Sequence, residues 1–326
     1  MLVNQQIFKD IIGGVQTKLN HETVKPFIRK AEFAFRNEIG VAMYETLATY
    51  PVATANPALE KETYLLEFAH ACICWDAYKA ALPHLKMRVG DLGVMKSVPA
   101  NSTPISKWEY VDALESADTM YDDSLNTFYE ILEDLAPAPY TASENFKMRH
   151  ALFIESPARM NYYVGMMGRN VRFYNKLVPY IRRAEELYIQ PILGLYYSDF
   201  KIACQNMALT PLTLNEANLL EAVRKALGPL AFFEAYPYLP LKIDENGKRE
   251  VRKKDGLQEE EVAEKGYRNA QRQQLYNDSV LYTARLKDYI QATASTIVFP
   301  QFYDEFLANP APINTEDYTG KSFAIM

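Results

Sequence analysis

Ile28, Ala31, Phe35, Ile39 and Ala42 recur at steps of three and four, the spacing that gathers side chains on one helical face. They predict a helix over about 26–50, with Pro26 near its start, where a missing N–H costs nothing. A second helix, over about 58–82, buries Leu65, Leu66, Ala69, Cys72, Ile73 and Ala77 and ends before Pro83. A third starts at a Ser106–Glu109 capping box, and its stripe runs through Val111, Leu114, Ala117, Tyr121, Leu125, Phe128 and Leu132. Between the second and third, LKMRVGDLGVMKSV alternates around Asp91-Leu92-Gly93 and predicts a β-hairpin.

The same pattern is then repeated. Laying Pro26 on Pro179 aligns Ile28 with Ile181, Arg29 with Arg182, Ala31 with Ala184, Glu32 with Glu185 and Tyr44 with Tyr197. Farther on, Leu65-Leu66 meets Leu219-Leu220, Ala77 meets Ala231, and Tyr121 and Ser124 meet Tyr276 and Ser279. The register drifts by only single residues between these matches, so self-similarity of this length predicts a duplicated domain. The expected fold class is mainly α: two tandem helical domains, 1–150 and 151–326, each with about three core helices and one β-hairpin. LAPAPYTASENF, rich in Pro and small residues, is the natural boundary.

The second copy has its own punctuation. Thr213 and Glu216 cap its middle helix, and Pro191 kinks or breaks its first helix near Gln190. Its hairpin turns at Glu245-Asn246-Gly247, and a last helix over about 258–294 opens on Glu259–Glu261, suited to the positive end of the helix dipole. Beyond it, Phe299, Phe302, Tyr303 and Phe306 are too apolar for a free tail; the segment folds back on its own domain or anchors in a neighbour.

Composition narrows the class. With 326 residues, 48% hydrophobic and 23% charged, the chain is globular and long enough for two cores. Its net charge of −6 argues against a general nucleic-acid coat. Three cysteines make no disulfide framework and point to a reducing compartment. The first residues lack the pattern of a signal peptide, and no stretch has the length of apolar sequence that spans a bilayer, so a soluble protein made in the cytoplasm is expected.

Candidate chemistry is sparse. His70 and Cys74 lie one helical turn apart, but Cys72 points elsewhere, His84 lies past the helix end, and the second copy has Arg224, Ala226, Gly228 and Tyr238 at these places. Buried core cysteines are expected, with no metal. Glu32 and Glu185, each near an arginine, are expected in solvated or interface ion pairs, and Tyr121 and Tyr276 in packing positions. Phosphate loops, nucleophile elbows and zincin motifs are absent from the sequence, and none of the four histidines is repeated. No catalytic residue, cofactor or enzyme activity is expected. Lys248, Arg249, Arg252, Lys253 and Lys254 crowd the second hairpin, which is either solvated or contacts an acidic partner or a DNA backbone; the net acidic chain favours protein over DNA.

The order of IRKAEFAFRNEIG, a second helix, a hairpin closing at DLG and a long last helix resembles the head–tail connector (adaptor) proteins of tailed bacteriophages. It is most similar to a phage and prophage family of Bacteroidota hosts, with LVNQQIF…VKPFIRKAE…IG and LFIESPARMNYY…YNKLVPYIRRAE…ILG as the two repeat starts. The resemblance implies a virion part: a ring of copies of this chain between the portal protein and tail-side connector proteins, around the DNA channel, with non-specific DNA contact and no membrane. It carries over no catalytic residues. The duplication departs from the usual single-domain adaptor and leaves the ring stoichiometry open. The alternatives are a cytoplasmic helical enzyme or ligand-binding protein with an inter-domain cleft, and a helical scaffold of host origin.

Overall fold

The computed structural model describes residues 1–13, 21–52, 56–85, 87–90, 93–96, 107–165, 168, 170–207, 209–238 and 265–303. These are mainly helical. In chain order they form α1 (Gln5–Ile12), α2 (His21–Ile39), α3 (Val41–Leu47) and α4 (Glu60–Leu85), then β1 (Met87–Gly90) and β2 (Gly93–Lys96). Next come α5 (Lys107–Leu135), α6 (Ala138–Thr141), α7 (Glu144–His150), α8 (Pro157–Val164) and α9 (Val171–Ala184). A π-helical turn over Glu185–Ile189 leads into α10 (Gln190–Leu193), α11 (Tyr196–Gln205), α12 (Leu214–Ala235) and α13 (Lys265–Thr293).

The chain divides into two compact units, the first built on Met1–Pro179 and the second on Tyr180–Pro237 with the residues from Gly266 onward. These compact units part within α9. The Pro-rich segment after α5 is not a linker, because its residues fill the first unit. Tyr140 is buried and donates to Glu133 at 2.7 Å, and Tyr174 donates to the Ile154 carbonyl at 2.8 Å. Asn126 of α5 accepts from the Val171 amide at 3.0 Å, which ties the start of α9 to the same unit.

In the first unit α4 is the central helix, packed against α1, α2 and α5. Its apolar residues ring the helix instead of lining one stripe, as a helix covered on several sides requires. Ala69, Cys72, Ile73, Cys74 and Ala77 are buried together. The expected first helix over 26–50 is two helices. Gly40 adopts φ +89°, a conformation nearly closed to other residues, so α2 ends at Ile39 and α3 restarts. Met43 is therefore buried where Ala42 was expected, and Ala42 is exposed. Helix α4 also runs past Pro83 to Leu85, since a proline in the last turn forfeits only one backbone bond.

β1 and β2 pair antiparallel, with Met87 opposite Lys96 and Gly90 opposite Gly93. The described residues do not carry one hairpin per half, since 239–264 lie outside them, as do Ser106 of the expected capping box and Glu259–Glu261.

In the second unit the Thr213–Glu216 capping box is formed, with Thr213 Oγ1 accepting from the Glu216 amide and Glu216 accepting from the Thr213 amide at 2.9 Å. The interruption expected at Pro191 takes another form. The turn just before it widens to π geometry, with the Gln190 amide bonded to the Glu185 carbonyl, and α10 continues through Pro191. A π-turn absorbs one extra residue. Ile28, Ala31, Glu32, Phe35 and Ile39 are buried in the first copy; Ile181, Ala184, Glu185, Ile189 and Leu193 are buried in the second. The spacing changes by one only after the glutamate.

Candidate functional site: internal carboxylates and exposed helix faces

Each copy buries one carboxylate at the same place. Glu32 is 7% exposed and Glu185 is fully buried, so neither lies on the solvated or interface surface expected from the sequence. The reason is geometric: each follows the buried alanine of its helix, on the inward face. Tyr44 donates to Glu32 at 2.5 Å, and Tyr197 donates to Glu185 at 3.4 Å. Glu32 also accepts from the Leu2 amide, while Lys201 places its ammonium 2.5 Å from Glu185. Burial works against the Lys201 charge, but Glu185 overrides it and raises the lysine above its ordinary value. His70 and Arg224, aligned on the next helix of each copy, are also buried. Burial lowers His70 toward the neutral imidazole, against the pull of Glu32.

A second network joins α4, α5 and α9. Arg172 reaches Asp118 at 3.1 Å and Asp122 at 2.6 Å, and Lys79 also pairs with Asp118. Burial would raise the Asp118 carboxyl, yet Lys79 and Arg172 hold it below the usual range. Nearby, burial raises Glu38 despite the Tyr129 hydroxyl at 3.4 Å, and burial raises Asp76 despite Lys79. A third network centres on Glu133, which accepts from Tyr140 and meets Arg149 at 3.3 Å and His150 at 3.0 Å. Arg149 is buried with its guanidinium 4.9 Å from the Tyr129 ring centre. In all three networks carboxylates are tied to cations or hydroxyls of neighbouring helices. The arrangement fastens helices together.

Cys72, Cys74 and Cys204 are buried and form no disulfide, and burial pushes the Cys74 thiol up to about 12 and Cys72 well above the ordinary range. Among the described residues no three His, Cys, Asp or Glu side chains gather as metal ligands, and no helix is long and apolar enough to cross a membrane. Lys248, Arg249, Arg252, Lys253, Lys254 and Phe306 lie outside the described residues. Phe299 and Phe302 are buried, 5.7 and 5.8 Å from the Tyr196 ring. They fold back on their own unit and are not free to anchor in a neighbour; Tyr303 is half-buried beside them.

The outer surface repeats as well. Pro26, Arg29 and Lys30 are exposed, as are Pro179, Arg182 and Arg183. Phe33 and Val41 in the first copy, and Leu187 and Leu195 in the second, are large apolar residues at 64%, 48%, 51% and 94% exposure. Both pairs are eight residues apart, and Val41 and Leu195 each follow a positive-φ glycine. Periodicity reveals the inward stripe but is silent on these outward matches: Pro26/Pro179 and Arg29/Arg182 are identical in the two copies, whereas the apolar pairs match only after the extra residue of the π-turn is counted.

A family model described as a family of unknown function (DUF6712) matches the chain twice, over residues 36–149 and 189–308. The chain belongs to this family and carries its segment in two copies. The matches begin at 36 and 189, the separation at which IRKAE and IRRAE align. No curated protein and no solved structure matches the chain.

Proposed function

We propose that the protein is a structural, self-assembling component of a tailed-phage virion, a head–tail connector that forms a ring between portal and tail around the DNA channel, and that it is not an enzyme. One observation supports this reading best: Glu32, Asp118, Glu133 and Glu185 are tied to partners that fasten helices, while large apolar side chains stay outside. Leu195, Ile297 and Leu209 are exposed by 94%, 88% and 86%. Large apolar side chains gathered on a folded surface mark places where another protein binds, and Tyr276, Val280 and Leu281 stand exposed within two turns of α13. The resemblance of the repeat starts to adaptor proteins supplies the setting, the portal and tail-side connector proteins as neighbours, and the virion as location.

Size-exclusion chromatography with negative-stain microscopy of the purified protein, and mass spectrometry of gradient-purified particles from a host carrying the gene, test the proposal. Rings in the first and the chain in stoichiometric amount in the second are expected. A monomer absent from particles would end this reading.

A further inference from the structure

Helices α5 and α13 are the same element of the two copies, aligned at Tyr121/Tyr276 and Ser124/Ser279, and both are 29 residues long. Both serines are buried and donate to a carbonyl of their own helix at 2.6 Å. On this common frame the charges have diverged. Helix α5 has nine carboxylates against the single cation Lys107, whereas α13 has five cations against Asp278 and Asp288.

The outward faces differ in the same sense. On α5, Asp112, Thr119, Asp123, Glu130 and Asp134 are exposed and recur at steps of seven and four, which makes one acidic line, with Trp108 69% exposed at its N-terminal end. On α13 the buried side chains Leu275, Ser279, Leu286 and Ile290 form a narrow seam. Outside it Tyr276, Val280 and Leu281 are exposed by 48%, 50% and 48%, and Ala284 continues the line. Arg285 and Lys287, both exposed, flank these apolar residues.

We propose that α13 of one molecule docks along α5 of a second molecule of this protein. The apolar line of α13 covers Trp108 and its surroundings, and Arg285 and Lys287 face the acidic line. Charge complementarity selects this occupant, because the acidic face of α5 repels nucleic acid, while α13 offers cations on an element of matching length. The contact joins the second copy of one chain to the first copy of the next. It is therefore head-to-tail, and such contacts close into rings when the rotation allows. The proposal rests on the self-assembling reading above.

Sedimentation velocity of the full chain at low and high salt tests it with two charge-reversal variants, Arg285→Glu/Lys287→Glu and Asp112→Lys/Asp123→Lys. Each variant alone should associate at least about tenfold more weakly than the wild type, because like charges then meet. An equimolar mixture of the two should regain wild-type association, which a misfolded variant could not do. Val280→Asp should weaken association while leaving the helical circular dichroism unchanged. A monomeric wild type, association indifferent to both reversals, or a mixture that stays dissociated would overturn the contact. Virion rings that ignore the reversals would remove this interface and leave the connector reading standing. Complementing variants of a protein missing from virions would do the reverse.

Discussion

Lys201 holds its ammonium 2.5 Å from the carboxylate of Glu185, which has no exposed surface. The pair sits where α11 crosses the first helical stretch of the second unit, and Tyr197 completes it. Removing one partner strands a buried charge, so Lys201→Met should cost about 3 kcal/mol or more, whereas Glu185→Gln/Lys201→Met should recover most of the loss. Because Glu185 raises Lys201 above its ordinary value of 10.5, the pair's stabilisation is complete below that pH and is lost as pH rises through the higher folded value. Urea denaturation of the three proteins at neutral pH and at increasingly alkaline pH measures both effects. Equal stability of single and double variants would refute the account.

Acid acts on other groups. Burial would raise Glu133, but hydrogen bonds from His150 and Tyr140 and the charge of Arg149 lower it below 4.5. Its stabilisation is therefore present above the ordinary value and lost as pH falls through the lowered one. Glu133→Gln leaves buried Arg149 without its carboxylate and should cost about 3 kcal/mol at pH 7. The difference from wild type should shrink as pH falls through the lowered value, where the wild-type carboxylate also protonates.

Glu38 and Asp76 run the other way, since burial raises both. A raised carboxylate costs stability once it ionises in the folded state, and the cost disappears below its ordinary value. Asp76→Asn should therefore leave stability at pH 7 unchanged or slightly higher and flatten the pH dependence above about 4. A marked loss at pH 7 would show that the ionised carboxylate is needed.

The π-turn gives a deletion test. Glu186 is exposed and follows the last aligned buried residue, Glu185. Deleting it would bring the buried spacing of the second copy to that of Ile28, Ala31, Glu32, Phe35 and Ile39. A turn that merely stores an extra residue should tolerate the loss, with a change of under about 1.5 kcal/mol. Thermal unfolding checks this; a collapse of stability would mean that the π geometry itself positions Ile189 and Leu193.

Phe299 and Phe302 are core residues, so Phe299→Ala and Phe302→Ala should each destabilise the second unit by about 3–5 kcal/mol. Loss of assembly with unchanged stability, read by calorimetry beside sedimentation, would instead return these rings to a neighbour's surface.

What the sequence determined by itself was the helical repeat. Steps of three and four marked the inward faces of α2, α4 and α5, and the matched pairs Ile28/Ile181, Leu65/Leu219 and Ala77/Ala231 all proved buried on both sides. The capping chemistry of Thr213 and Glu216 was legible too, because a cap depends on residues three apart. Tertiary structure decided the rest. That Glu32 and Glu185 lie inside depends on tyrosine and lysine partners 12 and 16 residues away, which no local pattern weighs. Whether Pro191 breaks its helix or shifts it to π geometry depends on which residues the neighbouring helices can bury. The aromatic end of the chain carries the same composition whether it covers Tyr196 or a second molecule, and only packing distinguishes the two. Hydrophobic periodicity reports which face a helix turns inward, whereas burial of charge and the fate of exposed apolar residues are set by partners distant in sequence.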